Sequence, residues 1–312
     1  MKKNTALVLA ATLTAAVLFG GCDSGNDKQS EITTAPTVTE SEPTPYPFML
    51  NDVEIEKKPE KIVCLSPAIA EIIYELGYSE TIIGRSSYCD FPLAISSVKD
   101  VGSTANPDMD AISELDPDLI ISSTPIASKD IFALEQKGIK TLIIPAPTSL
   151  EGFSSIYTSL GLVFEGIFIG REKGEETYAG ISRILGNTDN VNIGNFVYIT
   201  EGLAAAGGNT FESAVLSCFG TNVAKTAEGY GYNMSLLSEN QPDVLLVNNQ
   251  YTRDDIINDE ILGQLDAAKE NRMIFIDNIY FERPAARITT LINNMLTDYR
   301  NLGREDIASA AE

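Results

Sequence analysis

Short apolar runs alternate with segments of helical periodicity over most of the chain. In the first half, the predicted strands are Lys61–Leu65, Thr81–Gly84, Leu119–Ser122 and Thr141–Ile144. The predicted helices are Pro67–Leu76, Asp108–Glu114, Ala127–Lys137 and Leu150–Phe164. Strands that alternate with helices in this order are typical of a mostly parallel sheet with helices on its faces.

The first of these helices has clear boundaries in the sequence. Ser66 is a favoured N-cap, Pro67 suits the first helical position, and Gly77 ends the helix. Its apolar residues recur at helical spacing and are expected to face a core: Ile69, Ile72, Ile73 and Leu76. Glu71 and Glu75 lie four residues apart, and we expect both to point towards solvent, where like charges repel weakly.

The alternation resumes after a long helical segment. Gly166 to Leu185 predicts one helix of about 30 Å, and its glycines indicate that packing must stabilise it. The later predicted strands are Asn195–Thr200, Val244–Asn249 and Met273–Asn278, with helices in TFESAVLSCFG, NMSLLSEN and RITTLINNMLTDYRNLG. Both halves also contain a helix, a Pro-Asp step and a buried strand in succession, at Ala111–Ser123 and Ser235–Asn249. We therefore predict an α/β fold of two Rossmann-like lobes with mostly parallel sheets, bridged by one long α-helix.

The N-terminus indicates export. Residues 1–21 join a basic start to an apolar stretch too short for a committed membrane span, which is typical of a signal peptide. The sequence LFGGC resembles the lipobox of bacterial lipoproteins, in which the cysteine, here Cys22, is acylated. An ordinary secretory signal with an unrelated cysteine is the alternative. Residues 22–47 are rich in Ser, Thr, Pro and Glu and are expected to form a solvated tether. The remaining predicted segments are an N-terminal lobe at 48–165, an interlobe helix at 166–186 and a C-terminal lobe at 187–312.

Composition excludes several functions. A formal net charge of −22 and the lack of any basic cluster argue against nucleic acid and against resting the folded body on anionic lipid. Histidine is absent, which excludes Ser-His-Asp and Cys-His catalysis and zinc sites built on histidine. The carboxylates show no paired spacing that would indicate a glycosidase. The glycine-rich AAAGGN is only a weak signal for nucleotide binding.

The cysteines do not indicate chemistry either. After Cys22, only Cys64, Cys89 and Cys218 remain, which is not a disulfide framework, although Cys64 and Cys89 could pair if their loops meet. The Cys64-x-Ser66 sequence has no neighbouring base, so a core cysteine and a helix cap are favoured over a nucleophile. A binding cleft needs none of the excluded groups, only apolar surface and a few polar anchors.

Five motifs follow one another along the chain: KIVCLSPAIAEIIYELG, YCDFP, VGSTANPDMDAISELDPDLIISS, GNTFESAVLSCFGTNVA and FERPAARITTLI. In this order they resemble the motifs of substrate-binding lipoproteins of ABC importers for cobalamin, ferric siderophores and haem. The first is similar to that family's opening RIVSLSPSxTEILxALG, and the second resembles the YCDYP of its cobalamin-type branch. The resemblance covers roughly Val53 to Leu302. It implies a protein anchored to the outer face of the cell membrane that captures a small molecule between two lobes and delivers it to an ABC permease and its ATPase.

The resemblance also implies roles for individual residues. In the family, one exposed glutamate on the first helix of each lobe docks onto the permease; Glu71 matches the first position, and Glu212 substitutes for the second, where this chain has Ala214. Two solvated helix acids without a docking role are the alternative. Ligand contacts are expected at strand ends: Ser66, Pro67, Arg85, Tyr88, Asn106, Thr124, Tyr230, Tyr232, Asn249, Tyr251, Phe281 and Arg283. The aromatic members could form a floor for a macrocycle, although packing is the alternative for each one. Asp90 is interpreted as a cap of the turn before Pro92.

Three ligand classes stay open: a corrinoid, a ferric siderophore or haem, and a different ligand. The YCDFP motif favours cobalamin or another corrinoid. An anionic ferric siderophore would use Arg85, Arg253 or Arg283, and haem could be ligated by tyrosine but not by histidine. We expect a monomeric binding protein with no catalytic residue, no cofactor and no metal site of its own, although the ligand can itself be a metal complex. An extracellular enzyme and an adhesion or signalling subunit on the same scaffold are the alternatives.

Overall fold

Two parallel β-sheets, one in each half of the chain, form the framework. A computed structural model describes residues 43–187 and 189–309, with side chains as far as Leu302. Thr44–Glu312 forms one compact unit. The predicted signal peptide 1–21, the predicted acylation site Cys22 and most of the predicted tether lie outside the described residues.

Both main sheets are parallel throughout. The strands are β1 (Phe48–Leu50), β2 (Val53–Ile55), β3 (Ile62–Cys64), β4 (Ile82–Arg85), β5 (Lys99–Asp100), β6 (Gly102–Ser103), β7 (Asn106–Pro107), β8 (Leu119–Ser122), β9 (Lys140–Ile143), β10 (Asn195–Ile199), β11 (Thr221–Asn222), β12 (Val244–Asn248) and β13 (Met273–Ile276). The first sheet has the order β5-β4-β3-β8-β9 and the second the order β11-β10-β12-β13. Two short antiparallel ladders, β1–β2 and β6–β7, belong to the first half of the chain.

Helices connect the strands, as the alternating pattern predicts. They are α1 (Pro67–Leu76), α2 (Met109–Leu115), α3 (Ser128–Glu135), α4 (Leu150–Leu185), α5 (Phe211–Leu216), α6 (Arg253–Ile257), α7 (Asp266–Lys269), α8 (Ile279–Glu282) and α9 (Ile288–Ser309). The boundaries of α1 match the prediction, because the Ser66 hydroxyl accepts a hydrogen bond from the Ile69 amide and Gly77 adopts a left-handed φ of 90°. The predicted α/β fold with two lobes joined by a long helix is confirmed.

The joining helix α4 turns back on itself at Gly166. This residue has φ 71° and ψ −173°, outside the helical region and accessible mainly to glycine. The arms at 150–165 and 167–185 run antiparallel with their backbones in contact: a Cβ on Gly170 would lie 2.6 Å from the carbonyl oxygen of Gly161. As a whole, α4 is long and apolar enough to cross a membrane. Because the two arms pack against each other and contribute buried side chains to the apolar core, α4 is a core hairpin.

Alternate strand residues face different apolar cores. On β3, Ile62 and Cys64 face one core while Val63 faces another, and β10 and β12 alternate in the same way. The core that contains Ile62 also contains side chains from α1, both arms of α4, α5 and α9. One apolar core therefore extends from the first sheet to the second, and its burial holds the two lobes together.

Candidate interlobe binding site

A cavity of about 440 Å³ lies between the lobes, at the carboxyl end of the second sheet. It is lined by Ala146 from the first lobe and by Thr200, Glu201, Glu212, Tyr230, Asn278, Phe281 and Glu282 from the second. Thr200 and Glu201 follow β10, and Asn278 follows β13. Parallel strands bring their carboxyl ends to one edge of a sheet, where ligands of open α/β sheets bind.

Three carboxylates give the cavity its electrostatic character. Glu201, Glu212 and Glu282 are among its eight lining residues, which include no lysine or arginine. Glu212 is buried, and its Oε1 accepts a hydrogen bond from the Tyr230 hydroxyl at 2.9 Å. Burial, reinforced by the nearby Glu212 carboxylate, raises the pKa of Tyr230 to about 12, so the phenol stays protonated. The cavity therefore presents negative charge and hydrogen-bond acceptors.

A second set of hydrogen bonds orients the opposite wall. The Tyr198 hydroxyl donates to Oδ1 of Asn278 at 2.8 Å, and Nδ2 of Asn278 donates to Oε1 of Glu282 at 2.8 Å. The ring of Phe281 packs against Tyr198 and Phe211, with centroids 5.4 and 6.3 Å apart. The polar groups of this wall are thus held in place from behind by aromatic packing.

Two of the predicted ligand-binding residues, Tyr230 and Phe281, line this cavity. Phe281 is mostly buried, so it contributes an edge of the wall rather than an open floor. Glu212 lines the cavity as well, although the family resemblance predicted it as an exposed docking acid. The expectation of an exposed Glu212 is wrong, because α5 turns this side chain inward towards Tyr230.

The predicted basic contacts are already paired with acids. Arg85 donates to the carbonyl oxygen of Ser86 and lies 3.6 Å from Asp100. Arg283 forms an ion pair with Asp90, which joins the second lobe to the first. The interpretation of Asp90 as a turn cap therefore requires correction. An anionic ligand would have to compete with these carboxylates for both arginines.

The remaining predicted contacts in the first lobe lie near the ends of its strands. Ser66 is buried as the cap of α1, next to the partly exposed Pro67. Tyr88 follows β4, and both Tyr88 and Thr124, which follows β8, are exposed. Asn106 is exposed on β7, where its backbone N–H donates to the Ser103 hydroxyl at 3.1 Å. None of these five lines the cavity described above.

Three predicted contacts in the second lobe lie away from the cavity. Tyr232 and Tyr251 pack against the core on the other face of the second sheet. The Tyr251 hydroxyl accepts a hydrogen bond from the Leu203 amide at 3.1 Å. Asn249 lines a different cavity, beside Tyr280. Tyr232, Asn249 and Tyr251 thus do not line the cavity with Tyr230 and Phe281, and their contact with a ligand stays a prediction.

The two acids of α1 are not directed to solvent. Glu71 is 2% exposed and accepts two hydrogen bonds from Arg287 of the second lobe. Glu75 accepts hydrogen bonds from the Tyr157 hydroxyl at 2.6 Å and from the Ala286 amide at 2.9 Å. Burial raises the pKa of both carboxyls, while their hydrogen-bond donors oppose this effect. The expected exposure of these acids is wrong, and docking through Glu71 stays a prediction.

The cysteines near the cleft are thiols. Cys64 and Cys89 are both buried and free, and the Cys89 sulfur lies 3.8 Å from the Cys64 carbonyl oxygen. Burial raises the pKa of the Cys64 thiol, which makes it unreactive. Among the side chains that the structure describes, no three acidic or cysteine groups are arranged to hold a metal ion.

Sequence reasoning missed Asn278, Glu282 and Glu201 as individual candidates. All three follow second-sheet strands, and the MIFIDN run places Asn278 at a strand end. That position is the signal that could have found Asn278. Nothing in the local sequence distinguishes Glu282 from the many other acids of this chain.

The sequence and the fold match known proteins. Residues 62–168 match the family described as periplasmic binding protein. The chain is 34% identical over 167 residues to the uncharacterized ABC transporter substrate-binding lipoprotein YvrC of Bacillus subtilis, a match that covers 52% of this chain and 51% of that relative. It thus spans about half of that relative's length.

Two solved structures share the fold over most of the chain. A possible iron-binding, periplasmic solute-binding protein from Staphylococcus epidermidis superposes with a TM-score of 0.66 at 21% identity, covering 78% of this chain and 99% of that one. The periplasmic vitamin B12 binding protein BtuF of Vibrio cholerae gives 0.59 at 19% identity, covering 79% and 98%. Residues 62–168 therefore match a periplasmic binding protein domain, and most of the chain has the fold of these solved binding proteins.

Proposed function

We propose that this protein captures a neutral, donor-rich macrocycle of the corrinoid class between its lobes and delivers it to an ABC permease and its ATPase. Acylated Cys22 would anchor it, as a monomer, to the extracytoplasmic face of the cell membrane. The observation that carries the choice of ligand is the cavity lined by Glu201, Glu212 and Glu282 without a basic residue.

The charge of the cavity favours a neutral ligand over an anionic one. A corrinoid has a rim of amide groups, whose N–H groups could donate to Glu201 and Glu282, and an apolar face suited to Tyr230 and Phe281. The propionates of haem, or the negatively charged oxygens of an anionic ferric siderophore, would instead lie beside like charges in a partly desolvated space, where repulsion is strong. Of the two solved structures above, one is named for vitamin B12 and the other for possible iron binding.

The shared core supports a small closing motion. Side chains of α1, α4 and α9 pack into one apolar cluster that includes residues of both sheets. Separating the lobes widely would expose this cluster to water, which is unfavourable in proportion to the apolar area exposed. We therefore expect the free and ligand-bound forms to differ by a small rotation.

A thermal-stability assay tests the choice of ligand. The chain from residue 22 to 312, with Cys22→Ser to prevent acylation, is melted with cyanocobalamin, haem or a ferric catecholate siderophore. A ligand that binds only the native state raises the melting temperature progressively with its concentration. We expect this from cyanocobalamin. Stabilisation by haem or the siderophore alone would sink the corrinoid proposal while leaving the binding-protein role intact.

A charge reversal connects the affinity to the cavity. Glu282→Lys removes an acceptor and adds a cation, and should weaken cyanocobalamin binding by about tenfold, the equivalent of one lost hydrogen bond to a charged group. Glu239→Lys makes the same charge change at an exposed position that does not line the cavity. Calorimetry should find that the Glu239→Lys variant binds cyanocobalamin with unchanged affinity. Equal effects of the two substitutions would argue that the ligand binds elsewhere.

A further inference from the structure

Three consecutive apolar residues are exposed where α4 turns. Ile167, Phe168 and Ile169 expose 47%, 54% and 52% of their surfaces. They begin the second arm of α4, directly after the turn at Gly166. Single exposed apolar residues are common on protein surfaces, but contiguous ones mark contacts with a partner or a membrane. We call residues 167–169 the apolar tip.

The chain enters the folded body beside this tip. The Ile167 amide donates a hydrogen bond to the carbonyl oxygen of Pro45 at 3.2 Å. One residue further on, the Tyr46 hydroxyl donates to the carbonyl oxygen of Val163 at 2.9 Å. The segment that leads from the proposed acylated Cys22 therefore arrives at the tip. Because residues 23–43 span at most about 75 Å when extended, an acyl anchor would keep the tip within reach of the bilayer.

Charge near the tip differs from that of the whole chain. Lys58, Arg171 and Lys173 carry positive charge here, against the carboxylates of Glu165 and Glu172. Lys58 lies 3.4 Å from Glu165, and Glu165 also senses the charge of Lys173. The tip is thus close to neutral, whereas the chain carries −22. Since charges further than about 8 Å are screened at physiological salt, this part of the surface can approach lipid headgroups with little repulsion.

We propose that the apolar tip inserts its side chains into the interfacial layer of the bilayer to which the protein is anchored. Ile167, Phe168 and Ile169 enter the boundary between headgroups and acyl chains, and Lys58 and Arg171 stay at headgroup level. The acyl group supplies attachment, and the tip supplies orientation of the folded body. This inference uses the proposed anchor only to bring the tip near the membrane, and it is independent of which ligand occupies the cavity.

A tryptophan reporter tests insertion, because the chain contains no tryptophan. Phe168→Trp is introduced into the chain from residue 22 to 312 carrying Cys22→Ser, so that no acyl group contributes. Vesicles of phosphatidylcholine and phosphatidylglycerol at four to one are then added. We expect a blue shift of the emission and quenching by brominated phosphatidylcholine. The matched control is Phe132→Trp on α3, where the native ring is 62% exposed; its emission should not change.

Charged substitutions complete the test. The triple variant Ile167→Asp, Phe168→Asp, Ile169→Asp should lower partitioning into the same vesicles at least tenfold, while its melting temperature and its stabilisation by cyanocobalamin should stay as in the parent protein. An unshifted Phe168→Trp spectrum with vesicles would overturn the proposal. So would a blue shift that depends on protein concentration without lipid, which indicates a second copy. A blue shift in dilute lipid-free protein that disappears when residues 23–43 are removed would assign the tip to the protein's own N-terminal segment.

Discussion

The guanidinium of Arg287 donates two hydrogen bonds to the carboxylate of Glu71, from Nε to Oε2 at 2.8 Å and from Nη2 to Oε1 at 2.5 Å. Glu71 lies on α1 of the first lobe, and Arg287 directly precedes α9 of the second. The face of the guanidinium also covers the ring of Phe91, with Cζ 4.2 Å from its centroid. The Asp90–Arg283 and Glu71–Arg287 ion pairs thus connect the two lobes, in addition to the shared apolar core.

Arg287→Ala should destabilise the protein strongly. It leaves the Glu71 carboxylate buried without its cation, a change that costs about 3–5 kcal/mol in comparable buried pairs. Urea denaturation measures the loss. The double variant Glu71→Ala, Arg287→Ala should lose less than Arg287→Ala alone, because no unpaired charge remains. A loss below about 1 kcal/mol for Arg287→Ala would mean that Glu71 reaches water or a proton in the native state.

Gly170→Ala should loosen the α4 hairpin. Its Cβ would lie 2.6 Å from both the Gly161 carbonyl oxygen and the Leu162 Cα, and backbone must move to make room. Overpacking of this kind typically costs about 1–3 kcal/mol. Gly180→Ala is the matched control in the same arm, since nothing lies within 4 Å of its Cβ position. That substitution should raise the free energy of unfolding by about 0.5–1 kcal/mol. If both variants melt alike, the arms do not touch.

The contributions of Glu75 and Asp118 to stability should change with pH in opposite directions. Burial raises the native pKa of Glu75 above its ordinary value of 4.5. The stability that Glu75 contributes is therefore full below pH 4.5 and is lost as pH rises through the raised native value. Denaturation at a series of pH values should find that the free energy of unfolding of the wild type falls, relative to that of Glu75→Gln, as the pH rises above 4.5.

Asp118 is the control of opposite sign. Its carboxylate accepts hydrogen bonds from the Glu60 and Lys61 amides, which together with Lys57 outweigh burial and lower its pKa below the ordinary 3.8. Its contribution is present above pH 3.8 and is lost as pH falls through the lowered native value. The advantage of wild type over Asp118→Asn should therefore disappear in acid. Parallel pH profiles for the Glu75 and Asp118 variants would contradict both assignments.

Asn222→Ala should destabilise the second lobe. The side chain of Asn222 is buried, donates to the Ala206 carbonyl oxygen at 2.8 Å and to the Ser213 hydroxyl at 2.9 Å, and accepts from the Ala224 amide at 2.9 Å. Its loss leaves buried groups unpaired, at about 1–3 kcal/mol for each unsatisfied group. Asn209→Ala removes one hydrogen bond, to Gly229, at an exposed position and should cost much less. Equal losses of stability in the two variants would indicate that water takes over the hydrogen bonds of the Asn222 side chain.

Local sequence determined most of the secondary structure of this protein. The cap at Ser66, the proline at the first helical position and the left-handed Gly77 placed α1 without reference to the rest of the chain. Apolar runs likewise located β3, β4, β8 and β9 to within about one residue. Strands of two or three residues, such as β1 and β5, escaped prediction because such short segments contain no measurable period.

Tertiary structure decided what the polar residues do. Glu71 and Glu75 have the spacing of a solvated face, yet residues 283–287 of the second lobe cover that face of α1 and supply an arginine and an amide as partners. Helical periodicity reports which side of a helix is apolar; it contains no information on whether a distant segment will cover the other side. The same limit separated Tyr230 and Phe281, which meet in the interlobe cavity, from Tyr232, Asn249 and Tyr251, which equally close strand ends but face elsewhere. Sequence alone thus determined the fold class of this protein and the motifs that it shares with known binding proteins, while packing between the lobes decided which of its acids are buried and which residues share a site.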